Sequence, residues 1–147
     1  MELKSRAFEN GASIPLLYTC DGRDISPPLE INDIPAGAVV LALVMDDPDA
    51  PGGTFDHWLV WNIPAGTVQI PEGKEPEGVQ GRTDFGKLGY GGPCPPSGTH
   101  RYRFKLYALD RKLDLPKGAR KGQLEAAMQG HILGQAALEG RYQRTRR

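Results

Sequence analysis

Glycine and proline punctuate this chain so densely, at 19 and 13 of 147 residues, that the backbone is cut into short elements with little room for long helices. The runs between the breaks decide what those elements are. Val39-Val40-Leu41-Ala42-Leu43-Val44-Met45 is rich in β-branched residues and does not alternate. That is the pattern of a strand covered on both faces, so a central strand is expected here. His57-Trp58-Leu59-Val60-Trp61-Asn62-Ile63 is a second such run. Pro64 should halt it, because proline cannot donate to a ladder, and His57 is read as its first residue.

From His100 to Leu109 the pattern does alternate. His100, Tyr102, Phe104, Leu106 and Ala108 fall on one face, with Arg101, Arg103, Lys105 and Tyr107 on the other. His100 and Tyr102 therefore point the same way. One short surface helix is expected from about Ala119 to Gln129, with Leu124, Ala127 and Met128 at helical spacing and Gly130 placed to end it. Residues 131–138 fit either helix or strand, and Gly134 and Gly140 tilt the reading to strand. Pro71 to Gly86 reads as the longest loop, a surface connection that leads into a glycine-rich block. Residues 1–147 read as one mainly β domain, long enough for one sizeable core and too short for two.

The 18 basic and 18 acidic residues balance, which argues against a nucleic-acid binder, since such binding needs a broad cationic face. Only Arg141–Arg147 is basic, and it reads as a solvated, partly frayed terminus. The opening Met1–Arg6 stretch has no apolar core of a signal peptide, and no segment approaches the roughly 18 apolar residues of a membrane span. A soluble, cytoplasmic protein is expected. Cys20 and Cys94 form no CxxC pair. A bridge between them stays open, but a reducing cytoplasm favours free thiols unless the source is a thermophile.

Two blocks carry chemistry. Asp47-Pro48-Asp49-Ala50-Pro51 closes on Asp56-His57, and Gly89-Tyr90-Gly91-Gly92-Pro93-Cys94-Pro95-Pro96 closes on His100-Arg101-Tyr102. Pro48 and Pro51 stiffen the backbone around the two carboxylates. Close carboxylates repel, so one is expected to take a proton or to pair with a histidinium, His57 being nearest in sequence. Two histidinium rings could then donate to an anion. Gly89, Gly91 and Gly92 could bring successive amides to it as a nest. Taken singly, Asp-Pro-Asp is a common turn, and the glycine run lacks the lysine of a P-loop. The repetition of loop, histidine and apolar strand is what points to one shared pocket.

These blocks resemble the phosphatidylethanolamine-binding protein family, also called the Raf kinase inhibitor protein family, in its bacterial and archaeal branch. Tyr18-Thr19-Cys20-Asp21-Gly22, Ile25-Ser26-Pro27-Pro28-Leu29 and Gly130-His131-Ile132-Leu133 add to the likeness, which covers nearly the whole chain. The resemblance implies a large central antiparallel sheet packed on a smaller one, with a few peripheral helices. It also implies an anion pocket at one edge of the sheet, taking phosphate-like groups including the phosphatidylethanolamine head. Asp47, His57, Gly92, His100 and Tyr102 would line that pocket, and Asp49, Pro51 and Pro93 would shape its wall. A homodimer is implied too. The short Gly52–Asp56 connection and an end near Arg147, without the extra C-terminal helix of animal members, put kinase regulation in doubt.

The function expected is non-enzymatic binding of a small phosphate-like or phospholipid-headgroup anion, with no cofactor and no metal. Two alternatives stand beside it. One is a hydrolase, working through a metal held by His and Asp or through Cys94 as nucleophile beside His100. The other is a kinase- or protease-inhibitor-like module that reads a phosphorylated side chain or terminal carboxylate on a partner protein.

Overall fold

A computed structural model describes residues 1–144. In chain order these form β1 (Glu2–Lys4), a 3-10 turn (Leu16–Tyr18), β2 (Leu29–Asn32), β3 (Val40–Asp47), β4 (Phe55–Pro64), β5 (Gln69–Ile70), β6 (Val79–Gln80), β7 (Thr99–Leu109), α1 (Lys121–Met128) and β8 (Ile132–Gln143). Five strands make an antiparallel sheet in the order β6-β4-β3-β7-β8, and three make a smaller one, β1-β2-β5. The mainly β character read from the sequence and the large and small sheets that the resemblance implied are both observed.

β3 lies at the centre of the large sheet, and every one of its residues is buried. Its lack of alternation has a plain cause: the two faces feed two different cores. Leu41, Leu43 and Met45 pack with Leu3, Leu29, Ile31 and Ile70 of the small sheet. Val40, Ala42 and Val44 pack with Leu124 and Met128 of α1 and with Leu113. At about 25 cal/mol per Å2 of apolar surface, each fully buried leucine or tryptophan here contributes on the order of 2 kcal/mol. The sheet centre is thus the least deformable place on which to mount a site.

β4 begins at Phe55 and ends at Pro64, so His57 is its third residue and not its first. The strand starts early because Asp47 and Asp46 at the end of β3 still pair with Phe55 and Asp56. The ladder slips between the pairs Met45–Trp58 and Asp46–Asp56, which leaves His57 as the extra residue of a β-bulge. A bulge re-aims a side chain. Without it, strict alternation would put His57 with Leu59 and Trp61, on the α1 side.

Three further expectations are corrected. The Pro71–Gly86 connection contains β6, whose pairing with Val60 and Trp61 makes it a short edge of the large sheet. Cys20 and Cys94 are joined in a disulfide, because backbone pairing of Cys20 N–H with Pro93 C=O at 3.1 Å already holds the two segments together. Residues 132–138 belong to β8, as the glycines indicated, with His131 just before it, and the strand runs on to Gln143. The start of the basic Arg141–Arg147 stretch is consequently not frayed: Tyr142 is buried, its hydroxyl donates to Asp21 at 2.6 Å, and Arg144 also binds Asp21. The rest of that stretch, 145–147, lies outside the described residues. No helix among the described residues is long and apolar enough to cross a membrane.

Candidate functional site

Asp47 ends β3, His57 bulges from β4, and His100 and Tyr102 open β7, so three adjacent strands deliver four polar side chains to one end of one sheet face. They line a single hollow of about 190 Å3. The His57 and Tyr102 rings meet edge-on at 5.3 Å between centroids, and His100 lies over Tyr102 at 6.4 Å. Neighbouring alternate residues explain what stays out. Asp46 faces the other side of the sheet, where it pairs with Arg103 at 2.9 Å, Lys105 at 3.0 Å and Lys121 at 3.4 Å. Burial pushes the Asp46 carboxyl up, but these cations outweigh it and its pKa is lowered. Asp56 likewise pairs with Lys121, at 2.7 Å, although burial raises its pKa.

Within the hollow, each imidazole has one nitrogen fixed. Asp47, buried, accepts from His100 Nδ1 at 2.6 Å through one oxygen and from the Asp49 amide at 2.8 Å through the other. The carboxylate expected to seek His57 pairs with His100 instead, because the β7 strand brings that ring alongside. His57 Nδ1 lies 2.7 Å from Gly91 O. A carbonyl only accepts, so Nδ1 carries the proton. Burial lowers the His57 pKa, with the Gly91 bond and the Asp47 charge pulling the other way. The ring is therefore neutral near pH 7 and its Nε2 is an acceptor, which corrects the expectation of two histidinium donors. Neither Nε2 atom has a protein partner or is sealed from solvent among the described residues.

The Tyr102 hydroxyl is different again. It is fully buried and meets no described residue in ordinary hydrogen-bond geometry, although the Asp47 carboxylate and the Cys94 backbone lie near enough to act on it. Burial first, and then the charge and hydrogen-bonding pull of the nearby Asp47 carboxylate, raise its pKa against a smaller opposing effect of the Cys94 backbone, so it remains a proton donor. An unsatisfied buried hydroxyl costs roughly 1–3 kcal/mol. A polar group left in that state beside an open hollow is placed for a guest.

The remaining sequence candidates lie behind this wall. Asp49 turns away, its two oxygens taken by Arg101 Nε at 3.0 Å and Nη2 at 2.9 Å and by the Arg101 amide at 2.9 Å. Those bonds hold its pKa down at about 2. The Gly92 amide donates to Asp24 at 2.7 Å and the Gly91 amide to His57 O at 3.0 Å, so no open nest of amides forms. Gly92 is needed for another reason: a Cβ there would meet Tyr18 O at 2.2 Å. Pro93 is buried and its carbonyl receives Cys20. Pro51 does line the hollow, with Pro95, Pro96 and the disulfide-bonded Cys94 of the glycine block, and joined by two residues the sequence reading missed, Phe55 and Phe85. Phe55, His57 and Phe85 form a ring of edge-on contacts at 4.9–5.2 Å. An aromatic in the 71–86 loop was the one available signal.

The hollow thus offers both a hydrogen-bond donor and an acceptor. Tyr102 can donate and His57 Nε2 can accept, and the His100 ring is held beside them by Asp47. Among the described residues no three His, Cys, Asp or Glu side chains are grouped to hold a metal. Cys94, being in the disulfide, is not the free thiol a nucleophile requires. A second, larger hollow of about 560 Å3 lies between β1 and β8 and contains none of these groups.

The chain belongs to the phosphatidylethanolamine-binding protein family, whose model matches residues 4–143. It is 52% identical to a UPF0098 protein of Methanothermobacter thermautotrophicus, over 98% of this chain and 99% of that one. It is 51% identical to a UPF0098 protein of Aquifex aeolicus, over 98% and 89%. Among solved structures it is similar to the family homolog CT736 of Chlamydia trachomatis, with TM-score 0.95, 42% identity and 97% of each chain covered. It is also similar to Escherichia coli YbcL, with TM-score 0.91, 31% identity and 98% of each chain covered.

Proposed function

We propose that this family member holds a small phosphate-like anion, free or as a phospholipid headgroup, in the hollow between Asp47, His57, His100 and Tyr102, and that it does so without a catalytic step or cofactor. The observation that supports the reading is the buried Tyr102 hydroxyl, which meets no described residue in ordinary hydrogen-bond geometry, set beside the two solvent-accessible Nε2 atoms of His57 and His100 in the same hollow. Each bond to a charged guest is worth roughly 1.5–3 kcal/mol. Three such bonds, less the cost of association, give an affinity between about millimolar and micromolar. The apolar collar of Phe55, Phe85 and prolines would lower the polarity around a bound guest and so strengthen them.

On this reading the protein acts in the cytoplasm, as a homodimer, and an anion displayed on a partner protein enters by the same mouth. That is the route by which binding would regulate a partner. The test is a titration of inorganic phosphate and phosphoethanolamine followed by the amide and imidazole NMR signals. Saturable shifts centred on His57, His100 and Tyr102 support the reading. Shifts that are absent, or that centre on the β1–β8 hollow, overturn it.

A further inference from the structure

We infer that Lys121, on the far side of the large sheet, is a positioning residue for His57: its ammonium clamps the Asp46–Asp56 rung that fixes the β-bulge, and so aims the imidazole into the hollow. The inference deepens the anion reading above and rests on it for one of its two readouts only.

Asp46 and Asp56 stand opposite each other in the ladder, on the first rung beyond the slip that leaves His57 unpaired. Like charges facing each other across a ladder repel, so this rung needs a cation to stay closed. A rung that opened would release the register, and register decides which face a side chain takes. Asp46 is fully buried and meets three cations, of which Arg103 and Lys105 pair with no other acid among the described residues. Lys121 touches both members of the rung, 3.4 Å from Asp46 Oδ2 and 2.7 Å from Asp56 Oδ1. It is the one cation that Asp56 meets among the described residues, and Asp56 Oδ1 is otherwise buried without a hydrogen-bond partner there.

The ammonium is rigidly mounted. Lys121 is the first residue of α1, whose Leu124 and Met128 are buried with Val40, Ala42 and Val44 of β3. The residues just before it are zipped to the chain that leads to Phe85: Gly118 N donates to Gln80 O at 2.9 Å, Arg82 N to Ala119 O at 3.0 Å, and Arg120 Nη1 reaches Asp84 Oδ1 at 3.4 Å. Asp84 in turn holds both backbone groups of Asp56, its carboxylate accepting the Asp56 amide at 2.7 Å and its own amide donating to the Asp56 carbonyl at 3.0 Å. Phe85, next in the chain, packs edge-on against His57 at 5.1 Å between centroids. Side chain and main chain of Asp56 are therefore both tied to the start of α1, and the residue that follows Asp56 is His57. A continuous set of bonds thus runs from the helix through the sheet to the imidazole, which is the kind of physical connection that coupling at a distance requires.

Two readouts on the full chain test this: the NMR signal of the His57 Nδ1–H group in the free protein, and the affinity for inorganic phosphate. In Lys121→Met the His57 signal should move, and phosphate affinity should fall about fivefold, the size of effect that a residue outside a site transmits through packed contacts. Adding Asp56→Asn removes the facing charge and supplies an amide that can donate to Asp46, so both readouts should recover. Lys105→Met also strips a cation from Asp46 but does not touch Asp56, and should change neither. If Lys121→Met fails to fold, Lys121→Gln, which removes the charge and keeps a polar chain, decides on the same readouts. An unmoved His57 signal, or an unchanged affinity where the wild type binds, overturns the inference. So does a double variant that recovers neither readout, or a Lys105→Met variant that matches Lys121→Met, since general charge would then be the cause. A wild type that binds no phosphate overturns the anion reading, and the His57 signal alone then decides this one.

Discussion

His100 Nδ1 lies 2.6 Å from Asp47 Oδ2, closing a contact between residues 53 positions apart. The pair ties the Asp-Pro-Asp loop to the start of β7 and turns the free Nε2 of His100 toward the hollow. Asp47→Ala leaves both His100 Nδ1 and the Asp49 amide without their acceptor. Losing a buried, charge-assisted partner costs about 3 kcal/mol. Urea unfolding should show a loss of that order with an unchanged slope, and a loss within error of zero would mean the contact is incidental.

The depressed pKa of His57 makes binding depend on whether the guest brings a proton. A phosphate monoester, with a second pKa of about 6, can donate to the neutral Nε2, and sulfate cannot. Phosphoethanolamine should therefore bind more tightly than sulfate at about pH 7, and sulfate should gain as pH falls below the ordinary histidine value of 6.5. Equal affinities for the two, flat between about pH 5 and 8, would contradict this.

The same shift has a stability consequence. Unfolded His57 takes up a proton more readily than folded His57, so its contribution is present above about pH 6.5 and is lost as pH falls from there toward the lowered folded value. Wild type should lose more stability across that interval than His57→Gln, measured by denaturant midpoints at stepped pH. Parallel pH curves would mean the ring is not held neutral.

The Cys20–Cys94 disulfide spans 74 residues. In the chain-entropy account, a loop of that length stabilises by about 4 kcal/mol. Because Cys94 also lines the hollow, reduction should lower both the thermal midpoint and the phosphate affinity. Cys20→Ser/Cys94→Ser should match the reduced wild type. A double variant as stable as the oxidised protein would refute the stapling role.

What could be read in advance followed from periodicity. β7 and α1 announced themselves because each keeps one regular period, β3 because its apolar run has none, and the shared face of His100 and Tyr102 followed from alternation alone. His57 reached the same hollow through a bulge, and no residue type marks a slipped ladder in advance. The glycine block misled for a related reason. Glycine is compatible with an exposed nest, but Gly92 is required here by the close approach of Tyr18 O, a contact made by chain more than seventy residues away. Phe85 lay in a stretch whose composition spoke only of a loop, and its packing on His57 is tertiary.

Tyr102→Phe is the most direct measurement, because this hydroxyl meets no described residue in ordinary hydrogen-bond geometry and would gain a partner in the guest. Thermal unfolding should be unchanged or raised by up to about 1 kcal/mol of stability, since an unsatisfied buried group is removed. Phosphate affinity should fall about tenfold, or roughly 1.4 kcal/mol. A variant that loses stability while binding phosphate as well as the wild type would contradict the claim that the hollow is built for an anion.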